Sequence, residues 1–125
     1  MKTKILVIED DTAISELICM NLEAAGYDPV PIYDGEEAET AVLAEKEKRE
    51  SVPEYALALL DIMLPGKDGF QLMEVMQTAE IPVIYLTAKA DVVSKVHGLR
   101  AGAEDYIVKP FEVLELLVRI EKVLQ

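Results

Sequence analysis

The stretch Ala56-Leu57-Ala58-Leu59-Leu60-Asp61, with Ile62-Met63-Leu64-Pro65-Gly66-Lys67-Asp68-Gly69 behind it, constrains the fold more than any other part of the chain. An apolar run without polar interruption reads as a strand covered on both faces, as the central strands of parallel sheets are. The run ends in a carboxylate. Pro65 cannot continue a ladder, and Gly66 and Gly69 mark a turn, so the chain leaves the sheet directly after Asp61. Asp61 is therefore expected at the carboxyl edge of a central strand, where open α/β sheets hold their ligands. An aspartate in that place can also do no more than cap the following turn. The ends of the other strands favour a site.

Lys4 to Ile8 reads as a first buried strand, followed at once by Glu9-Asp10-Asp11. Ile14, Leu17, Ile18, Leu22 and Ala25 then recur at helical spacing, with Asp11 or Thr12 as cap and Gly26 as stop. Pro29 to Tyr33 predicts a short edge strand, because prolines at 29 and 31 would break a central ladder. Asp34-Gly35 opens a second helix, Glu36 to about Glu50, with Ala38, Ala41, Val42 and Ala44 as a thin apolar stripe. Its end, residues 45–50, mixes charges of both signs and reads as a solvated helical end. A third helix, Phe70 to about Thr78, packs Leu72, Val75 and Met76. Pro82 to Leu86 predicts a fourth strand ending in Thr87. A helix from Asp91 carries Val92, Val93, Val96 and Leu99, and stops at Gly102. Asp105 to Val108 is a fifth strand ending in Lys109-Pro110, and a last helix, about Phe111 to Leu124, is expected to bury Leu114, Leu117, Ile120 and Leu124. Five alternations of strand and helix with short loops predict a doubly wound α/β fold with helices on both faces of a parallel sheet.

At 125 residues the chain is one domain, long enough to bury a real core and too short for two domains. No stretch of about 18 residues lacks a charge, so no membrane span is expected. The start reaches Glu9 after four apolar residues, Ile5 to Ile8, too few for a signal-peptide core, which points to the cytoplasm. The single Cys19 sits within a helical apolar pattern and reads as a buried small hydrophobe. A net charge of −12 argues against direct gripping of nucleic acid, since phosphate binding needs a basic face. DNA, if a target, must be touched by another segment.

Parallel strands share one carboxyl edge, so Glu9, Asp10, Asp61, Thr87 and Lys109 are predicted to meet there. Two carboxylates ~5 Å apart repel by about 3 kcal/mol at an effective dielectric of ~20. Lys109 offsets one charge of three, and a divalent ion, Mg2+ by its preference for oxygen ligands and retained water, offsets the rest. With an ion bound, the pocket can accept a phosphoryl group, whose oxygens the ion, Lys109 and the Thr87 hydroxyl would neutralise. Asp61, ionised at neutral pH, can attack phosphorus in line without a base. No catalytic histidine is needed, and His97 falls in the predicted fourth helix, away from the strand ends.

The blocks Ile5-Leu6-Val7-Ile8-Glu9-Asp10-Asp11, Leu59 to Gly69, Ile81-Pro82-Val83-Ile84-Tyr85-Leu86-Thr87-Ala88 and Gly98 to Phe111 together resemble the receiver domain of two-component response regulators. The resemblance covers residues 1–125 as one domain. It implies a flavodoxin-like sheet in the order 2-1-3-4-5, with Asp61 as phosphoacceptor and a sensor histidine kinase as phosphoryl donor. It implies Asp10, Asp61 and the Met63 carbonyl as Mg2+ ligands, with Glu9 acting through water. Thr87 and Tyr106 would be the switch pair, Thr87 moving toward the phosphoryl group and the Tyr106 ring turning inward behind it. The Lys109-Pro110 bond is cis in that family. Such a protein is no enzyme beyond catalysing its own phosphorylation and dephosphorylation.

The last third resembles the subfamily with a C-terminal winged-helix DNA-binding domain, which is absent from this sequence. There the fourth helix, fifth strand and fifth helix form a symmetric homodimer face on phosphorylation. Lys95 with Glu115 and Asp105 with Arg119 match its charge pairs, and Val96, Leu99 and Val118 its apolar patch. Arg100 and Glu121 reverse the signs usual at their positions. They are expected still to pair and to disfavour pairing with other regulators, although exposed rim pairs are usually worth under about 1 kcal/mol. The second helix is also expected to run longer than in the family.

Three other readings compete. A haloacid-dehalogenase-type enzyme also uses a strand-end aspartate and magnesium, but needs a second aspartate where this chain has Met63. A flavin-binding electron carrier needs a glycine- and hydroxyl-rich phosphate loop where this chain has Glu9-Asp10-Asp11. A phosphorylation-independent interaction module has no reason to retain Asp10, Asp61, Thr87 and Lys109 together.

Overall fold

A computed structural model of the chain describes residues 2–47, 54–61, 69–88 and 102–125. Its elements are β1 (Lys4–Ile8), α1 (Thr12–Ala24), β2 (Asp28–Ile32), α2 (Gly35–Glu47), β3 (Tyr55–Asp61), α3 (Gly69–Thr78), β4 (Val83–Ala88), β5 (Asp105–Lys109) and α4 (Val113–Leu124). The strands form one sheet in the order β2-β1-β3-β4-β5, every neighbouring pair parallel. This is the doubly wound arrangement expected from the alternation of strands and helices, in the strand order that the receiver resemblance implies. The helix expected from Asp91 lies outside the described residues, as do residues 48–50 of the charged run.

The apolar runs feed two cores because strand side chains alternate between faces. Leu6, Ile8, Ala58, Leu60 and Tyr85 pack with α2 and α3 through Ala38, Val42, Leu72 and Met76. Ile5, Val7, Leu57, Leu59 and Leu86 pack with α1 and α4 through Ile18, Leu22, Leu116 and Ile120. Each large side chain so buried contributes about 1.5–3 kcal/mol relative to exposure.

β2 is an edge strand, as its prolines require. The Asp28 N–H donates to the Thr3 carbonyl at 2.8 Å, and the Ile32 carbonyl accepts from the Glu9 N–H at 3.0 Å. The even-numbered residues therefore face β1, and Pro29 and Pro31 turn their missing donors outward. Asp11 caps α1, its side chain accepting from the N–H groups of Ala13 and Ile14 at 3.0 and 3.1 Å. Asp34 opens α2 in the same way, accepting from the Glu37 N–H at 2.8 Å. Gly26 follows α1 at φ +95°, a conformation L side chains rarely adopt.

Three expectations are corrected. Leu114 is 73% exposed, and Leu116 with Ile120 holds the buried stripe of α4, with Leu117 and Leu124 at its margin. Two residues of helix turn the side chain about 200°, so Leu114 and Leu116 cannot share a face. Cys19 is half-buried: it follows the fully buried Ile18 by about 100° and packs at the edge of the core. Burial pushes its thiol above the ordinary range, with Ser15 opposing. Glu45 is not solvated but buried, and its carboxylate accepts a hydrogen bond from the Glu54 N–H, tying the end of α2 to the start of β3.

Candidate functional site

The acidic rim is built by register. Ile8 pairs with Leu60, so the next residues along β1 and β3, Glu9 and Asp61, come side by side. Glu9 is fully buried, Asp61 is 7% exposed, and Asp10 faces solvent. One carboxylate oxygen from each of Glu9, Asp10 and Asp61 lies within 4.8 Å of the others. Lys109 ends β5, with β4 between it and β3, a span of roughly 10 Å at ordinary strand spacing. Its long stem covers that distance: Nζ donates to Asp61 Oδ2 at 3.1 Å and to Glu9 Oε1. The Lys109-Pro110 bond is cis.

The electrostatics follow from this crowding. Burial pushes the Glu9 carboxyl from 4.5 up to about 7, and the neighbouring Asp61 adds to the rise. Lys109 and the Asp11 N–H, which donates to Glu9 Oε2 at 3.2 Å, oppose it. Burial works against the Lys109 ammonium, but Glu9 and Asp61 outweigh it and hold its pKa above the ordinary 10.5. Three carboxylates around one ammonium leave excess negative charge. An all-oxygen donor set with an exposed member, Asp10, suits a hard divalent cation that keeps part of its water.

The structure thus brings together Glu9, Asp10, Asp61 and Lys109. Thr87 stands in β4 with its backbone paired to Val108, and its side chain lies outside the described residues. Met63, Lys95, Val96, Leu99 and Arg100 also lie outside them. Tyr106 is half-buried in β5, its ring centroid 6.1 Å from that of Tyr85 at 41°. Asp105 and Arg119 pair within the chain, Nη1 reaching Oδ1 and Oδ2 at 3.0 and 2.8 Å, while Arg119 Nε donates to Glu115 at 3.1 Å. Val118 and Glu121 are exposed on α4, and a groove of about 520 Å³ runs past Leu114, Glu115, Val118 and Arg119. That groove is remote from the acidic rim, since Arg119 reaches the first residue of β5 and Lys109 is the last. Nothing in the linear sequence marks Tyr85, whose place opposite Tyr106 is visible only once the β4–β5 register is known. No helix among the described residues is long and apolar enough to cross a membrane.

The family model for the response regulator receiver domain matches residues 5–121. The "DNA-binding response regulator MtrA" of Mycobacterium tuberculosis is 42% identical over 121 residues, covering 96% of this chain and 50% of that protein. The MtrA of Mycolicibacterium smegmatis is 41% identical over the same span. This chain spans about half the length of the curated relatives it matches. Among solved structures, a response regulator from Chloroflexus aurantiacus superposes with a TM-score of 0.85 at 34% identity, covering 99% of this chain and 98% of that one. The receiver domain of NtrX from Brucella abortus does so at 0.79 and 30%, covering 96% and 97%. With the acidic rim and parallel sheet already established, these matches lead to one conclusion: the chain belongs to the response regulator receiver domain family.

Proposed function

We propose that residues 1–125 form one receiver unit working in the cytoplasm as a phosphorylation switch, with Asp61 as phosphoacceptor. The observation that carries this is the convergence of Glu9, Asp10 and Asp61 on one rim with the Lys109 ammonium 3.1 Å from Asp61. A sensor histidine kinase is the proposed donor. An Asp61 oxygen forms a bond to phosphorus as the phosphorus–nitrogen bond of the donor phosphohistidine breaks, and the imidazole leaves with the electron pair and takes up a proton. Lys109 holds its ammonium against the oxygens on which negative charge gathers.

Asp10, Asp61 and the Met63 carbonyl would hold Mg2+, with Glu9 acting through water. The ion would supply charge neutralisation for the incoming phosphoryl group. Thr87 and Tyr106 are the proposed switch pair. The output is homodimerisation through the outer face of α4, β5 and the segment before it. Lys95, Val96, Leu99, Arg100, Asp105, Glu115, Val118, Arg119 and Glu121 would form that face, and DNA would be bound by a further domain of the kind the relatives' name implies. The receiver itself is a substrate that assists its own phosphorylation and dephosphorylation rather than an enzyme with turnover on other molecules.

Incubation with Mg2+ and a small phosphodonor, followed by intact mass, is expected to add one phosphoryl group to the parent chain and none to Asp61→Ala. Beryllofluoride with Mg2+ is expected to shift the parent to a dimer on sizing. An unmodified parent would leave the phosphorylation-independent module as the surviving reading.

A further inference from the structure

We infer that Tyr85 is a positioning residue for the Tyr106 ring, setting how far that ring reorients before any phosphoryl group arrives. The inference rests on the reading of Tyr106 as the switch ring and adds what restrains it. Tyr85 and Tyr106 are directly opposed across the β4–β5 pair, so their side chains leave the sheet on one face. The centroids lie 6.1 Å apart with the rings tilted at 41°, within the range of favourable aromatic pairs.

The two rings are unequal in freedom. Tyr85 is fully buried in the core that also holds Leu60, Met73 and Val83, and β4 is flanked by β3 and β5. Tyr106 is half-buried on the edge strand β5 and packs against that core from its margin. Moving Tyr85 means opening a close-packed interior, whereas Tyr106 can turn at the surface. Tyr85 is therefore the fixed wall and Tyr106 the moving part. Contact between the rings favours the orientation seen in this structure, and any other orientation gives that contact up. A single residue separates Tyr85 from Thr87, so the wall stands next to the strand end where the phosphoryl group would be sensed.

The test uses the whole chain labelled with 3-fluorotyrosine, its Tyr106 resonance assigned with Tyr106→Phe. In Tyr85→Leu, the population of the alternative Tyr106 environment without beryllofluoride is expected to rise about 2- to 10-fold, the Boltzmann factor of an ordinary aromatic pair. The beryllofluoride concentration at half-response is expected to fall by a similar factor, because ligand and ring draw on the same equilibrium. Tyr85→Phe, which keeps the ring, should behave as the parent does. Should Tyr85→Leu fail to fold by circular dichroism, Tyr85→Ile, ringless and suited to a strand, takes its place. An unchanged Tyr106 population in the folded ringless variant, or a shift the other way, overturns the inference while leaving the phosphorylation reading intact. A parent in which Asp61 binds beryllofluoride and Tyr106 does not respond overturns both the switch role of Tyr106 and this inference.

Discussion

The Lys109 ammonium stands 3.1 Å from Asp61 Oδ2, closing a contact between residues 48 apart in the chain, and the same nitrogen also binds the fully buried Glu9. Removing it leaves two carboxylates without their cation. Lys109→Met is expected to cost about 2–4 kcal/mol of stability at neutral pH without divalent ion, most of it the penalty of uncompensated buried charge. Urea unfolding measures this. The loss should shrink as the pH falls and Glu9 takes up a proton. Phosphorylation from a small donor is expected to fall at least tenfold in the same variant, read by intact mass against time.

Glu9 gives the apo protein a pH dependence of definite sign. Its folded pKa, about 7, lies above its ordinary 4.5, so between these values the native state binds more protons than the unfolded one. The stability Glu9 contributes is complete below about pH 4.5 and is lost as the pH rises toward 7. The melting temperature in a chelator should carry this falling component across that window. Glu9→Gln is expected to remove it. A Glu9→Gln profile parallel to that of the parent would show that Glu9 titrates normally.

Mg2+ should stabilise the folded chain by mass action, by about 2.7 kcal/mol at a concentration a hundredfold above the dissociation constant. Asp10 is the exposed member of the three-carboxylate group. Asp10→Asn keeps its shape and removes its charge, and is expected to abolish most of the Mg2+-dependent rise in melting temperature. Its own metal-free stability should be unchanged or higher, since like-charge repulsion is relieved.

The outer face of α4 makes a prediction separable from the rim. Leu114 and Val118 are 73% and 55% exposed, so a charge there costs little in the monomer. Leu114→Asp and Val118→Asp are each expected to change stability by less than about 0.5 kcal/mol and to leave phosphorylation of Asp61 intact. Beryllofluoride-dependent dimerisation should be lost in both, as sedimentation would show. Dimers that survive in both variants would place the interface elsewhere.

Much of the fold was legible because local chemistry and global topology agree. Runs such as Ile5-Leu6-Val7-Ile8 need cover on both faces and received it, and Pro29 and Pro31 confined β2 to an edge. The acids and Lys109 could be assigned to one rim because parallel strands all end on the same side. What the linear pattern leaves open is the rotation of each helix about its axis. Leu114, Cys19 and Glu45 each sit on a helix where an apolar or charged pattern fits more than one face. Only the packed partner decides which face turns inward.

The alternation of strands and helices, and the carboxylates and cation that end the strands, can be read along the linear chain. Those are properties of residue type and spacing along the chain. Packing across the molecule is what makes Lys109 bridge Glu9 and Asp61, buries Glu9 fully and raises its pKa, pairs Arg119 with its own chain's Asp105, and sets Tyr85 against Tyr106. Each of these depends on register between strands or on rotation of a helix about its axis, and these are set by the mutual fit of side chains distant in sequence.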